Sequence, residues 1–436
     1  MADIRPFPGL HYNESLIKDW STAICPPYDI ISPQHLQELY LRSQYNFIRL
    51  EFGRELPQDT PADNRYTRSA ATMEDWLKQG VLLADPVPTF YLHDHYFRYQ
   101  GGDCRRRSLV ARVRLEQWDK MVIRPHEGTL TVARGDRLSL LWALQANTSP
   151  ILALFEDREQ QICSLLADQE PGKPLISSKT VNGESHIVQA ITDGEVIDRI
   201  SRSLAGQSLY IADGHHRYES ALTYQLEKGT NAPSASEDEA FNFVMMELVD
   251  FGDPGLVVLA PHRLVRGIPK SILDGLMVKL EAFFEIEKLP LNLPDVGQQV
   301  DDLLGGTNEI SIILFGPAKN YLFGLRLRDP DAAGQLMPSF HSELYKKLDV
   351  SIIDHIILEK LLELTSEKEE TGLTYSYDIT EAVGRVLDQE YQLALLFRQV
   401  KPEGIKAVAD AGDKMPRKST YFYPKAPSGL VINRLV

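Results

Sequence analysis

The run Ser208-Leu-Tyr-Ile-Ala212 is apolar, has the length of a strand and stops at Asp213-Gly214, after which His215 to Leu222 carries helical spacing. Strand side chains repeat every two residues and helical ones every 3.6, so a change of period in so short a space demands a tight strand-to-helix turn. Gly214 supplies the backbone freedom for it. The first turn of a helix leaves four N–H groups without intrahelical acceptors and carries roughly half a positive charge, so it attracts phosphate or carboxylate. His215, His216 and Arg217 place three donor or cationic groups in that turn, where acids are usually preferred. A bound anion accounts for the placement. Asp213 is expected to cap the helix, hold a metal or fix a histidine tautomer. The plainer alternative is a capped helix whose histidines satisfy local hydrogen bonds, but two adjacent histidines with an arginine are rare as decoration. Glu219 is expected to pair within the helix, and Ala221 and Leu222 to enter the core.

The rest of the chain sets this junction in a mixed α+β framework. Ser32 and Pro33 start one helix, and Asn64 to Gln79 forms a second, closed by Gly80. Asn46 to Leu50 reads as a strand. The stretch from Pro88 to Trp118 reads as a hairpin turning at Gly101-Gly102, with Arg105-Arg106-Arg107 solvated near its tip. Gly128 to Leu144 and Asp193 to Leu204 read as helices, and Pro150 to Phe155 as a buried strand. Asn231 to Glu239 is the expected exposed loop. Beyond it, FNFVMMELV and GLVVLAPHRLV read as strands, Lys270 to Glu285 as a helix, ISIILFG with YLFGLRL as a hairpin, and Leu348 to Leu364 as a helix. The expected division is residues 1–230 as an α/β domain, 240–370 as a strand-helix-hairpin subdomain, and 371–436 as a segment returning toward the site.

Composition excludes several classes. Of the 436 residues 43% are hydrophobic and 25% charged, which is globular rather than disordered. A formal charge of −15 argues against a protein that coats DNA. Cys25, Cys104 and Cys163 are too widely spaced for a zinc ribbon and point to a reducing compartment. The start MADIRPFPGL has no signal-peptide pattern, and no apolar run reaches the ~20 residues a membrane helix needs, so a soluble cytoplasmic protein is expected. There is no P-loop, no Gly-x-Gly-x-x-Gly after a strand, no HExxH and no GxSxG.

Other segments offer chemistry. In Arg124-Pro125-His126-Glu127-Gly128-Thr129, His126 and Glu127 suit a general base or metal ligands and Arg124 suits bidentate phosphate binding. A charged loop with a cap at Thr129 fits the same residues. Asp136 and Arg137 lie further along the same helix, where surface ion pairing accounts for them about as well as a functional role does. Lys418 to Lys425 carries lysines and hydroxyls around aromatic residues, as a phosphate pocket or a plain edge strand would. Pro26-Pro27-Tyr28-Asp29 is a rigid loop that displays one carboxylate.

Five motifs, PPYDIIS at Pro26, RPHEGT at Arg124, YIADGHHRYESAL at Tyr210, PHRLV at Pro261 and MPRKSTYFYPK at Met415, together resemble a bacterial and archaeal family known as domain of unknown function one-thousand-and-fifteen. The Asp213–Arg217 turn is also similar to the phosphate-binding turn of the ParB/sulfiredoxin-like superfamily, which includes free-serine kinases. That resemblance implies a ParB/sulfiredoxin-like core in which Asp213, Gly214, His215, His216 and Arg217 hold nucleotide phosphates. The expected activity is a phosphotransferase using ATP or ADP with Mg²⁺ on a small hydroxyl-bearing metabolite such as free serine. Arg124, Lys418 and Lys425 would add positive charge; Glu127, His126 or Asp29 would serve catalysis; Asp213 and Glu127 would hold the metal. Two alternatives are a metal-dependent hydrolase or phosphatase built on His126, Glu127, Asp213, His215 and His216, and a ParB-like nucleotide-dependent binding protein.

Overall fold

The computed structural model describes residues 1–169, 174–179, 183–231, 234, 236–306, 311–365 and 371–436. They divide into two compact units, the first made of Met1–Pro125, Thr129–Val257 and Phe422–Val436, the second of His126–Gly128 and Val258–Tyr421. Strand Phe243–Asp250, expected in the smaller subdomain, therefore belongs to the first unit, and residues 371–421 to the second.

The first unit is built on a nine-stranded mixed sheet among the described residues. Its strands are β1 (Ile4–Arg5), β2 (Phe90–Tyr99), β3 (Gly102–Arg114), β4 (Ile123–Arg124), β5 (Ile151–Phe155), β6 (Ile176–Lys179), β7 (Ser185–Ile191), β8 (Leu209–Asp213) and β9 (Phe243–Asp250). The order is β4-β8-β5-β9-β3-β2-β7-β6, with β1 also paired to β3. The long hairpin β2–β3 turns at Gln100-Gly101, both at positive φ (48° and 78°), the mirror-image turn that matches strand twist. Gly102 is already in the strand.

Helices cover both faces: α1 (Pro33–Arg42), α2 (Ile48–Glu51), α3 (Arg65–Lys78), α4 (Thr131–Leu144), α5 (Gln161–Ala167), α6 (Gly194–Ala205) and α7 (His215–Asn231). Their starts follow the capping residues in the sequence. Ser32, Asn64 and Asp193 accept from first-turn N–H groups of α1, α3 and α6. Alternation along the sheet separates two cores. Leu109, Ala111 and Val113 of β3 face Ile200 and Leu204 of α6 and Tyr218 and Ala221 of α7. Val110 and its neighbour Tyr91 face the opposite core with Leu39, Ile48 and Trp76.

Several expectations are corrected here. Asn46 to Leu50 is not a strand: α2 occupies it. The Asn46 side chain accepts from Ile48 N at 3.1 Å while donating to Thr22 O at 2.7 Å, which fixes a turn. Phe47, Ile48, Leu50 and Glu51 are all buried, so the run lacks the alternation of a half-buried strand. Helix α4 begins at Thr131 rather than Gly128, and Thr129 does not cap it but bonds Glu219. Arg106 is not solvated: it is fully buried, and Arg107 pairs with Asp94 at 2.7 Å. The described residues of the Asn231–Glu239 stretch are exposed; residues 232, 233 and 235 lie outside the described residues.

Among the described residues, the second unit holds a six-stranded antiparallel sheet of β10 (His262–Val265), β11 (Phe284–Pro290), β12 (Ile312–Phe315), β13 (Tyr321–Leu327), β14 (Leu373–Ser376) and β15 (Leu393–Phe397). Their order is β11-β13-β12-β15-β10-β14. Helix α8 (Lys270–Glu281) ends four residues before Glu285 because Phe284 starts β11. The expected hairpin is β12–β13, apart from Ile310, which lies outside the described residues. Residues Asp349–Ile352 are α-helical and continue into Ile353–Leu361 with the wider π pattern. The class is mixed α+β.

No helix among the described residues is long and apolar enough to cross a membrane.

Candidate functional site

Strand β8 ends at Asp213 beside β5, with a register irregularity between Ile211 and Asp213. Gly214 sits at φ +95° and α7 starts at the next residue. A side chain at 214 would suffer twice. The backbone is left-handed, and a Cβ would come within 2.9 Å of the Arg217 guanidinium, which curls back over this residue.

Arg217 donates from Nη2 to Asp213 Oδ2 at 2.6 Å and from Nη1 to the Pro150 carbonyl just before β5. The other Asp213 oxygen is bonded by Lys425 Nζ from the C-terminal stretch of the same unit, and Lys425 also lies 3.2 Å from Asp29 Oδ2. Four expected residues from three distant segments, Asp29, Asp213, Arg217 and Lys425, thus form one network of two cations and two carboxylates. Burial alone would raise the Asp213 carboxyl, but Lys425 and Arg217 outweigh it and hold it far below the usual carboxylate range. Beside the network, burial lifts the Tyr28 hydroxyl to about 12, against the nearby Arg137 and Arg217. A cavity of about 40 Å³ adjoining Arg217, lined by Glu51, Arg137, Asn147 and Ser220, has room for a few waters and not for a nucleotide.

The neighbouring residues serve to fix the turn. His216 Nε2 accepts from the Leu130 N–H at 2.9 Å, so that nitrogen carries no proton and the ring does not present a cation there. Glu219 does not pair within its own helix; it accepts from Thr129 and from Arg134 at 3.2 Å. His215 is buried. Arg124 donates to Met121 O at 2.9 Å and to the Tyr210 hydroxyl at 3.2 Å, on the β4 side of β8. Asp136 and Arg137 are not a surface pair. Arg137 is buried between Asp136 (2.6 Å) and Glu51 (3.3 Å), and its guanidinium stacks 3.9 Å from the Tyr28 ring.

In the second unit, Glu127 anchors a turn. Its Oε1 accepts from Ser419 N, Thr420 N and Thr420 Oγ1, each at 3.1 Å, and its Oε2 lies 3.3 Å from Lys418 N. Lys418 adopts φ +57°, uncommon for a side-chain-bearing residue, and the Glu127 carboxylate holds the backbone that carries it. His126 Nε2 lies 2.9 Å from Thr420 Oγ1, and the His126 carbonyl accepts from Met415 N at 2.8 Å. A carboxylate engaged by this many donors is a poor general base and a poor metal ligand. Asp213, clamped between two cations, fits a metal no better. Both carboxylates of the expected metal pair, Asp213 and Glu127, are already neutralised or hydrogen-bonded by the protein itself.

The matching family model covers residues 4–351 and is described as "Protein of unknown function (DUF1015)". The chain belongs to this family. No curated protein matches it. Among solved structures, a conserved hypothetical protein from Pyrococcus furiosus is 14% identical over 75% of this chain and 95% of its own, with a TM-score of 0.36. A free serine kinase in complex with AMP is 13% identical over 74% and 92%, with a TM-score of 0.35. SbnI with a C-terminal truncation, from Staphylococcus aureus, is 10% identical over 73% and 84%, with a TM-score of 0.33. Similarity this low transfers no function to the family member described here.

Sequence reasoning missed a buried polar group on the first unit's sheet: His93, His95, Arg106, Ser108, His186 and Glu247. A signal was present. His93 and His95 stand two apart in a strand, hence on one face, and Glu247 is a lone acid within the apolar run FVMMELV.

Two outcomes follow from these geometries. Lys425→Met leaves Asp213 and Asp29 without their shared cation and is expected to lower the unfolding free energy by about 3 kcal/mol at pH 7. A depressed carboxyl contributes stability above its unfolded pKa of about 4 and loses it as pH falls toward the folded value. The gap between wild type and variant should therefore narrow on acidification below about pH 4; urea titrations across pH test this, and a pH-independent gap would contradict it. Glu127→Ala strands several part-buried donors and should cost about 1–2 kcal/mol in the same titrations, whereas Glu127→Gln keeps an acceptor oxygen and should lose less than half of that.

Proposed function

We propose that the chain binds the phosphates of a nucleotide at the first turn of α7 and acts as a phosphotransferase toward a small hydroxyl-bearing metabolite, with free serine the first substrate to test. One observation carries the reading: Lys425 and Arg217 converge with Asp29 and Asp213 at the N-terminus of a 17-residue helix. Phosphoryl transfer requires positioning and charge neutralisation above all, and a helix N-terminus with a lysine and an arginine supplies both.

In this reading an incoming phosphate competes with Asp213 for Lys425 and Arg217, and the first-turn N–H groups take the remaining phosphate oxygens. Asp29 is the carboxylate suited to accept the hydroxyl proton, since it shares Lys425 through one oxygen and its side chain is 27% exposed. The substrate hydroxyl oxygen bonds to the γ-phosphorus, the bond to the β–γ bridging oxygen breaks, and ADP leaves with that electron pair. Mg²⁺ would arrive on the nucleotide phosphates, because Asp213 and Glu127 are engaged elsewhere. Asp213 sets the resting position of the two cations.

Incubation of the full chain with γ-labelled ATP, Mg²⁺ and serine or a pool of hydroxylated metabolites should yield a labelled small molecule. Asp29→Asn should lower the rate by about 10²–10⁴-fold with ADP affinity nearly unchanged. Glu127→Gln should stay within tenfold of wild type. ADP binding without any labelled product would favour a nucleotide-dependent binding protein, and absence of both binding and product would overturn the proposal.

A further inference from the structure

The polar patch on the first unit's sheet continues the apolar face that carries Tyr91 and Val110. Register aligns its members across three strands: His95 of β2 lies opposite Arg106 of β3 and His186 of β7, while His93 lies opposite Ser108 and Val188. Glu247 joins from β9. His93, His95, Arg106 and His186 are at most 2% exposed.

The hydrogen-bond chain sets the state of His186. Glu247 Oε1 lies 2.8 Å from His93 Nδ1, and an ionised carboxylate can only accept, so His93 carries its proton on Nδ1. In the neutral form of His93, Nε2 is the acceptor for His186 Nδ1, 3.1 Å away. That leaves a bare lone pair on His186 Nε2, which is fully buried and has no hydrogen-bond partner. One ligand atom from each of His95, Glu184 and His186 lies within 4.8 Å of the others; His95 Nε2 donates to Glu184 Oε2 at 2.9 Å, and a metal ion would displace that proton. Ligand atoms around a tetrahedral zinc sit about 3.3 Å apart, so small shifts would complete the set.

We propose that His95, Glu184 and His186 form a binding site for a divalent first-row transition-metal ion. Two imidazoles and a carboxylate are donors that zinc, iron and manganese accept and that calcium and magnesium do not favour. The Glu247–His93–His186 relay is the outer-shell arrangement that fixes a ligating ring and raises its basicity. Burial pushes the His95 and His186 imidazoles well below their ordinary range, with the Arg106 charge acting in the same direction. Among the described residues, Arg106 is the cation whose charge bears on both histidines. Its Nη2 is 3.4 Å from His95 Nδ1, but it donates at 2.9 Å to the Pro424 carbonyl, and the Glu184 and Glu247 carboxylates outnumber it. The inference is independent of the phosphotransferase reading.

The test uses the full chain stripped with a chelator, re-equilibrated with zinc alone and passed through a desalting column before elemental analysis. About one zinc per chain is expected to remain. Cobalt in its place should give the visible absorption bands of a four- or five-coordinate site. Glu184→Gln and His186→Ala should lose the bound zinc and the cobalt bands, and His93→Gln should weaken zinc affinity by about 10–100-fold. His355→Ala, in the second unit, should behave as wild type. Glu184 has a partly exposed side chain, so its variant decides the matter if His186→Ala fails to fold. No retained zinc in wild type, or equal retention by Glu184→Gln, would overturn the proposal.

Discussion

The Asp213 carboxylate is the constraint around which the first unit's site is arranged. It stands at the end of a buried strand, where an unpaired charge would be costly, and it is satisfied by Arg217 one helical turn on and by Lys425 from the C-terminal stretch. Satisfying that charge draws three remote segments together. It positions Arg217 over Gly214, ties the start of β5 to the turn through the Pro150 carbonyl, and brings Asp29 to Lys425. The same clamp explains why two cations can rest at a helix N-terminus in the absence of an anion: the protein supplies its own. A ligand phosphate would compete with Asp213 for Lys425 and Arg217, adding negative charge to a network whose two cations and two carboxylates already balance.

A second carboxylate, Glu127, does comparable work on the backbone of the second unit. It gathers the N–H groups of the Lys418–Thr420 turn and stabilises a left-handed lysine. Sequence inspection cannot separate this role from catalysis. A glutamate beside a histidine looks the same whether its oxygens face a substrate or three backbone donors contributed by residues almost three hundred positions away.

What could be read from the sequence was local. The β8–α7 junction, the Ser32, Asn64 and Asp193 caps, the β2–β3 hairpin and the β12–β13 hairpin each depend on residues close in the chain, and their periodicity and turn chemistry carry the signal. Gathering Asp29, Lys425 and the Asp213 turn as candidates was also possible, because Pro-Pro-Tyr-Asp and the lysine-rich tail stand out individually. What escaped depends on tertiary partners. Asn46 turns α2 through carbonyls of Thr22 and Ile24, Arg106 is drawn inside by the carbonyls of Tyr423 and Pro424, and Arg137 by Glu51. Burial of an arginine needs acceptors that no local pattern announces. The His93–His95 spacing did announce a shared strand face, yet the third histidine and the glutamates reach it only through strand register.

The central claim, that the first turn of α7 is a phosphate site released from its own carboxylate clamp, is tested most directly by a crystal structure of the full chain with ADP. The account predicts phosphate oxygens within about 3 Å of first-turn N–H groups of α7, with Lys425 or Arg217 turned from Asp213 toward them. ADP bound elsewhere, with the Asp213–Lys425–Arg217 network intact, would contradict it.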